Sequence, residues 1–243
     1  MRRIRLFVDL PLQAGQGVTL SEAAANHAVR VLRLREGDPV TLFNGDGLDY
    51  TGVISLGKRD ARVHLHDAEA VTNESPLAIT LVQALARGEK MDLILQKATE
   101  LGVVKIVPVT SDRTEVKLDE DRADKRILHW QRVLESACEQ CGRAQIPEIE
   151  SPSTLERAAR LFAVSDDTRL VLHPEGGRPL ARIDCGDAVT IAIGPEGGFS
   201  ERDLAVLDQA GFTRITLGPR VLRTETAGLA AIAALQTRFG DFR

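Results

Sequence analysis

No run of 18 or more apolar residues occurs in this 243-residue chain, which argues against a membrane-spanning helix. Cysteine is scarce: the chain has Cys138, Cys141 and Cys185. An odd number argues against a disulfide framework. Cys138 and Cys141 form C-x-x-C, a spacing used for zinc or redox chemistry, but zinc needs a second ligand pair and none stands at a suitable spacing. A redox pair gains reactivity at a helix N-terminus. These two fall near the end of a helical pattern, so we expect small buried residues and no metal site. Two phosphate-loop signatures are also missing, G-K-[ST] and a G-x-G-x-x-G that follows a strand. The basic start "MRRIRLFVDL" has too short an apolar stretch, closed by Asp9, to read as a signal peptide, so a cytoplasmic protein is expected.

What is present divides in two. Before residue 70, short strand patterns ("RLFVDL", "PVTLFNG", "YTGVISLG", "ARVHLHDA") are separated by Gly, Asp and Asn turns. One helix, "SEAAANHAVRVLRL", interrupts them behind Ser21 as N-cap. We expect a small β-barrel-like domain over 1–70 and a linker over 71–76. From 77 to 243 strand and helix alternate, as in an α/β domain with a mainly parallel sheet. "LAITLVQALA" reads as a strand covered on both faces. In the helix that follows, Leu93, Ile94, Ala98 and Leu101 form the inward stripe and Gly102 the stop. A long helix over roughly 119–142 buries Trp130, Leu134, Ala137 and Cys141. "SPSTLERAARLF" opens with Ser153 and Glu156 in capping-box spacing.

The net charge is −4, yet residues 1–35 hold six arginines (Arg2, Arg3, Arg5, Arg30, Arg33, Arg35) against Asp9 and Glu22. Such a segment can meet phosphates, or it can be a solvated face.

Ligands of open α/β sheets collect at strand carboxyl ends. Three loops leave strands there: "LHPEGGRPL" (172–180), "IGPEGGFS" (193–200) and "LGPRVLRTETA" (217–227). Each alone could be a tight turn; three together suggest a pocket built from backbone. A phosphate reading of the second fails on detail. Ser200 and Asp203 can cap the next helix, Glu201 and Asp203 already use its positive end, and Glu196 would repel an anion. A neutral or partly cationic ligand is expected.

"IGPEGGFS" and "LGPRVLRTETA" closely resemble the signature motifs of the bacterial small-subunit ribosomal RNA uracil-N3 methyltransferases of the SPOUT superfamily. "HAVRVLR" (27–33), "RGEKMDLILQKATELGV" (87–103) and "ACEQCGRAQIPEI" (137–149) are similar to further motifs of that family, so the resemblance covers nearly the whole chain. It implies a PUA-like N-terminal β-barrel, a C-terminal α/β domain with a deep trefoil knot, and a homodimer. It also implies S-adenosyl-L-methionine as methyl donor and 16S ribosomal RNA in the 30S subunit as substrate. By the same resemblance, Leu172, His173, Gly194, Gly197, Gly198, Leu217, Gly218, Leu222 and Thr224 would line the donor site. Glu175 to Gly177 inherit no role.

Methylation of uracil N3 requires loss of its proton, and charge develops on the uracil oxygens. Arg223, with Arg220 second, is the candidate to stabilise that charge, unless it caps local carbonyls. Glu196 and Glu225 are candidate bases. The arginines of the first domain, with Arg87, Lys90, Gln140 and Arg143, are candidate RNA contacts. The competing readings are a non-catalytic RNA-binding assembly factor and a SPOUT methyltransferase for another RNA such as tRNA.

Overall fold

The computed structural model describes residues 4–58, 60–116 and 120–242, so Arg2 and Arg3 lie outside the described residues. It is mixed α/β with two sheets. Contacts divide the chain into one unit of residues 1–74 with 135–146, and a second of 75–134 with 147–243. The division is thus not a single cut near residue 70: a segment of the later sequence folds with the first unit.

In the first unit, β1 (Arg5–Phe7), β2 (Gly17–Thr19), β3 (Pro39–Phe43), β4 (Leu48–Leu56) and β5 (Ala61–Ala70) form one sheet in the order β1-β3-β4-β5-β2. The β1–β3 pair is parallel and the others are antiparallel. In β5, Ala61, Val63 and Leu65 are buried while Arg62, His64 and His66 are exposed, the period of two expected of a half-buried strand. A bulge after Thr51 interrupts the β4–β5 register. Gly52 sits there because a Cβ would fall 2.5 Å from the His64 carbonyl oxygen. The helix behind Ser21 is shorter than its sequence pattern. α1 covers Glu22–Asn26, and a π-helical turn follows over His27–Val31. The chain then turns at Arg33, which adopts φ 58°.

In the second unit all strand pairs are parallel. The elements are β6 (Ala78–Ala84), α2 (Lys90–Glu100), β7 (Val103–Thr110), α3 (Glu120–Cys141, whose last turns belong to the first unit), β8 (Glu148–Ile149), β9 (Ser153–Thr154), α4 (Leu155–Phe162), β10 (Thr168–Leu172), β11 (Arg178–Pro179), β12 (Ala188–Ile193), α5 (Glu201–Gln209), β13 (Thr213–Thr216) and α6 (Thr224–Phe239). The sheet runs β11-β13-β10-β12-β6-β7-β8, with β9 also paired to β7.

Three local expectations need correction. In α2 the buried stripe includes Leu95, while Leu93 is 43% exposed. α4 is capped by Thr154, which accepts from the Arg157 N–H at 3.3 Å; Ser153 is used instead in the bridge to Val109. On α3, Cys138 is buried and Cys141 only partly so. The hydrogen bond with Cys141, then burial, pushes the Cys138 thiol far above the usual thiol range. Both cysteines are free thiols, and a thiol held protonated is a poor redox nucleophile. Among the described residues no group of three or more His, Cys, Asp and Glu could hold a metal ion, and no helix is long and apolar enough to cross a membrane.

Candidate functional site

Three strands, β12, β10 and β13, lie side by side, and their carboxyl ends release the three loops singled out above. The loops surround one cavity of about 370 Å³. Leu172, His173, Gly194, Gly197, Gly198, Leu217, Gly218, Leu222 and Thr224 all line it, together with Glu196, Arg220 and Arg223. Glu225 does not line it, although Thr224 and Ala227 on either side of it do.

Each loop is fixed by local physical needs. In 194–200, the Gly198 N–H donates to the Pro195 carbonyl at 2.9 Å and closes the turn. Gly198 takes φ 69°, a conformation that favours glycine. Gly194 is packed so tightly that a Cβ would lie 3.0 Å from the Phe199 nitrogen. Ser200 and Asp203 form the full capping box of α5, with hydrogen bonds of 3.0 and 2.8 Å. In the first loop, the His173 N–H donates to the Ile215 carbonyl at 3.0 Å, tying β10 to β13. The third loop ends on Arg223, whose carbonyl accepts from the Thr226 and Ala227 N–H groups and starts α6. The Thr224 hydroxyl, at the first position of α6, donates to the Gly194 carbonyl at 2.6 Å.

The carboxylate at position 196 has a structural explanation. Glu196 Oε1 accepts from the Arg87 backbone N–H and from the Lys90 ammonium, both at 3.1 Å. Lys90 also lies 3.6 Å from Glu225 Oε2. The glutamate therefore ties the 194–200 loop to the start of α2. Burial alone would raise its pKa. Hydrogen bonds from its own and the Arg87 backbone, then Lys90, outweigh burial and hold the carboxyl below the usual range.

That pairing corrects two expectations. Glu196 does not set the charge of the cavity: Lys90, Arg113, Arg220 and Arg223 line it against this one carboxylate. The lining is net cationic, and because Lys90 pairs with the glutamate the loop does not repel anions. Glu196 is also a poor proton acceptor, with a lowered pKa and an oxygen already holding two donors. Oε2 of Glu225 is shut off from solvent without a hydrogen-bond partner. Among the described residues, neither the Arg220 nor the Arg223 side chain has a hydrogen-bond or ion-pair partner, so the Arg223 guanidinium does not cap local carbonyls.

Arg113 carried no signal in the sequence. It stands in the loop after β7, donates to the Gly197 carbonyl at 2.9 Å and lines the cavity. Gly197 makes room for it, since a Cβ there would meet Arg113 Cβ at 3.2 Å. In that same loop, Asp112 accepts from the Ser200 hydroxyl at 2.7 Å. A short, polar, unpatterned segment gives no periodicity from which these contacts could be read.

The candidate RNA contacts separate by burial. Arg30, Arg33, Arg35 and Gln140 are exposed in the first unit, and Arg87 is exposed in the second, where its side chain pairs with Glu115. Lys90 is half-buried in the ion cluster above. Arg5 and Arg143 are corrections. Arg5 is buried, donates to Asp49 at 2.6 Å and to the Cys138 and Arg143 carbonyls at 2.7 and 3.1 Å, and lies 4.3 Å from the Phe43 ring centre. Arg143 is buried on Glu74 at 2.7 Å. Their charges are used inside the first unit and are not presented to a phosphate.

Comparison with known proteins agrees with this geometry. Residues 73–236 match the RNA methyltransferase domain family and residues 20–65 the RNA methyltransferase PUA domain family. The ribosomal RNA small subunit methyltransferase E of Buchnera aphidicola subsp. Schizaphis graminum is 34% identical over 98% of this chain and 97% of its own length. A Legionella pneumophila putative methyltransferase, solved with bound cofactor SAM, is 39% identical with a TM-score of 0.94, over 99% of this chain and 100% of its own. A Neisseria gonorrhoeae ribosomal RNA small subunit methyltransferase E, solved bound to S-adenosyl methionine, is 40% identical with a TM-score of 0.95, over 100% of both chains. The three-loop cavity thus sits in a chain that matches such proteins from end to end, and the chain belongs to the ribosomal RNA small subunit methyltransferase E family.

Proposed function

We propose that this protein transfers a methyl group from S-adenosyl-L-methionine to N3 of one uridine of 16S ribosomal RNA. In this reading it acts in the cytoplasm, as a homodimer, on the 30S subunit. The observation that carries the reading is the cavity at the ends of β10, β12 and β13, lined by backbone, aliphatic and cationic groups. Its volume falls within the roughly 300–1,000 Å³ of small-molecule sites. The backbone and aliphatic groups suit the neutral nucleoside part of the donor, and the cationic side chains suit RNA. Leu172, His173, Gly194, Gly197, Gly198, Leu217, Gly218, Leu222 and Thr224 would hold the donor, which supplies an electrophilic methyl group when bound.

The remaining chemistry falls to the chain's own residues. Uracil N3 carries a proton, and its loss leaves negative charge on the ring oxygens. Arg223 offers an unpaired guanidinium at the cavity, and Arg220 a second. Stabilising the anion lowers the cost of losing the proton, which passes to solvent water before the methyl group arrives, so the site needs no strong base of its own. Glu196 serves the loop, and Lys90 joins it to Glu225. Because N3 is hidden in a paired helix, the target base must be unpaired or turned out. Arg30, Arg33, Arg35 and Gln140 are available to RNA in the first unit.

The trefoil knot belongs to this proposal too. β13 lies on the far side of β10 from β12, and the loop after β13 returns to Gly194 through Thr224. That strand order and that return support the reading; the threading itself is what the family resemblance implies. The dimer reading rests on the family resemblance.

The test is Arg223→Ala. Donor affinity by calorimetry should stay near wild type, while turnover on 30S particles falls about 10²–10³-fold, as for loss of one oxyanion-stabilising donor. Unimpaired turnover would remove Arg223 from the mechanism.

A further inference from the structure

Every buried position of β6 is apolar except Gln83, which is fully buried. Its amide nitrogen donates to the Ala84 carbonyl at 2.9 Å and to the Thr224 hydroxyl at 3.1 Å. That hydroxyl donates in turn to the Gly194 carbonyl at 2.6 Å. The amide oxygen, Oε1, has no partner and no access to solvent. Reversing the amide would not help, because the oxygen would then face the Ala84 carbonyl, acceptor against acceptor. An unmade hydrogen bond at this depth lowers stability, and an apolar residue would be cheaper for the core. Gln83 does not line the cavity, but both residues it organises do.

We propose that Gln83 is a positioning residue. Through the Thr224 hydroxyl it holds the Gly194 carbonyl and so sets the spacing between the 194–198 turn and the start of α6. This rests on the reading of the cavity as the methyl-donor site. The turn has little slack: the Pro195 ring restricts φ, Gly198 N–H closes onto the Pro195 carbonyl, and Gly194 packs against the Phe199 backbone. Fixing its first residue therefore fixes the rest. One hydroxyl does this for both walls, since Thr224 is also the first residue of α6. The three groups come from β6, the end of β12 and α6, so the relay locks together elements that are distant in sequence.

The test uses the full chain with Gln83→Met, Thr224→Val, Thr224→Ser and the Gln83→Met/Thr224→Val double variant. Met keeps the length of Gln and removes the orphan oxygen along with the relay. Met removes the orphan oxygen but also the donor to the Ala84 carbonyl, so Gln83→Met should melt close to the wild-type temperature. Without ligand, exchange of the Gly198 amide should quicken by about fivefold or more. The dissociation constant for S-adenosyl-L-methionine should rise about tenfold, the equivalent of one lost hydrogen bond. Thr224→Val should match it, Thr224→Ser should restore it, and the double variant should be no worse than either single change. Unchanged Gly198 exchange in Gln83→Met would overturn the proposal. So would independent, multiplying losses in the double variant, or a lowered melting temperature with turnover per folded molecule intact. The exchange measurement needs no ligand, so a wild-type protein that fails to bind the donor would sink the donor-site reading alone. The Gln83 relay would still be decided.

Discussion

Replacing Arg5 by alanine should strongly destabilise the first unit without acting through RNA. Arg5 belongs to the basic segment from which a phosphate contact is expected, yet its side chain is 6% exposed and that of its partner Asp49 11%. Removing the guanidinium leaves the Asp49 carboxylate buried without a counter-charge. It also strips a donor from the Cys138 and Arg143 carbonyls and the cation from the face of Phe43. Breaking one side of a buried pair costs about 3–5 kcal/mol, and each orphaned carbonyl adds on the order of 1 kcal/mol. Against a usual folding stability of about 5–15 kcal/mol, that is a large fraction. Two units need not unfold together, so one global transition is the wrong readout. Hydrogen exchange in rising urea, followed in peptides from β3 and β4, reports the first unit directly. Arg5→Ala should lose at least about 3 kcal/mol of protection there. Arg5→Met combined with Asp49→Leu should recover much of it, because both charges leave together. Protection within about 0.5 kcal/mol of wild type, with RNA affinity lost, would refute the burial argument and return Arg5 to the RNA contacts.

Three further outcomes follow from the same geometry. Burial raises the Glu139 pKa despite the Phe7 N–H it accepts at 2.9 Å. A carboxyl raised on folding costs stability once ionised, so Glu139→Gln should raise the melting temperature at neutral pH, with the gain fading as pH falls through the carboxylate range; an unchanged melting temperature at pH 7 would contradict this. Glu196 is the opposite case. Its lowered pKa gives stability that is present above the unfolded value and lost as pH falls through the folded one, so Glu196→Gln should flatten the acid limb of a stability–pH curve; an unaltered limb would show that the Lys90 pairing adds nothing. Gly194→Ala should cost about 1–3 kcal/mol through overpacking, since the new Cβ meets the Phe199 and Gly198 backbone at 3.0–3.2 Å, and should weaken donor binding in calorimetry; wild-type affinity would mean the loop can give way.

The three loops were legible in the sequence because turn chemistry is local. Gly, Pro and Ser at fixed offsets announce the 194–200 turn and the Ser200–Asp203 capping box without tertiary information. Apolar runs likewise announced the parallel strands. What sequence could not give was pairing across distance. Nothing near residue 196 says that Lys90 and the Arg87 N–H will neutralise Glu196, so the charge of the cavity lining could not be read from that carboxylate. Arg113 reaches the site from a loop after β7, and Arg5 and Arg143 are counted as surface charge until Asp49 and Glu74 are found beside them. The short α1 shows the same limit. Its pattern continues as a helix, but the chain passes into a π turn and reverses at Arg33, where packing overrides propensity.

The most direct test of the central claim is methyl transfer by the purified protein. Isotope-labelled S-adenosyl-L-methionine would be supplied with 30S particles from a strain lacking the enzyme, and the digested RNA read by mass spectrometry. The expected result is N3-methyluridine at one position of 16S RNA, close to one label per particle. Label on carbon, on ribose or in transfer RNA, with 16S RNA left unmarked, would contradict it.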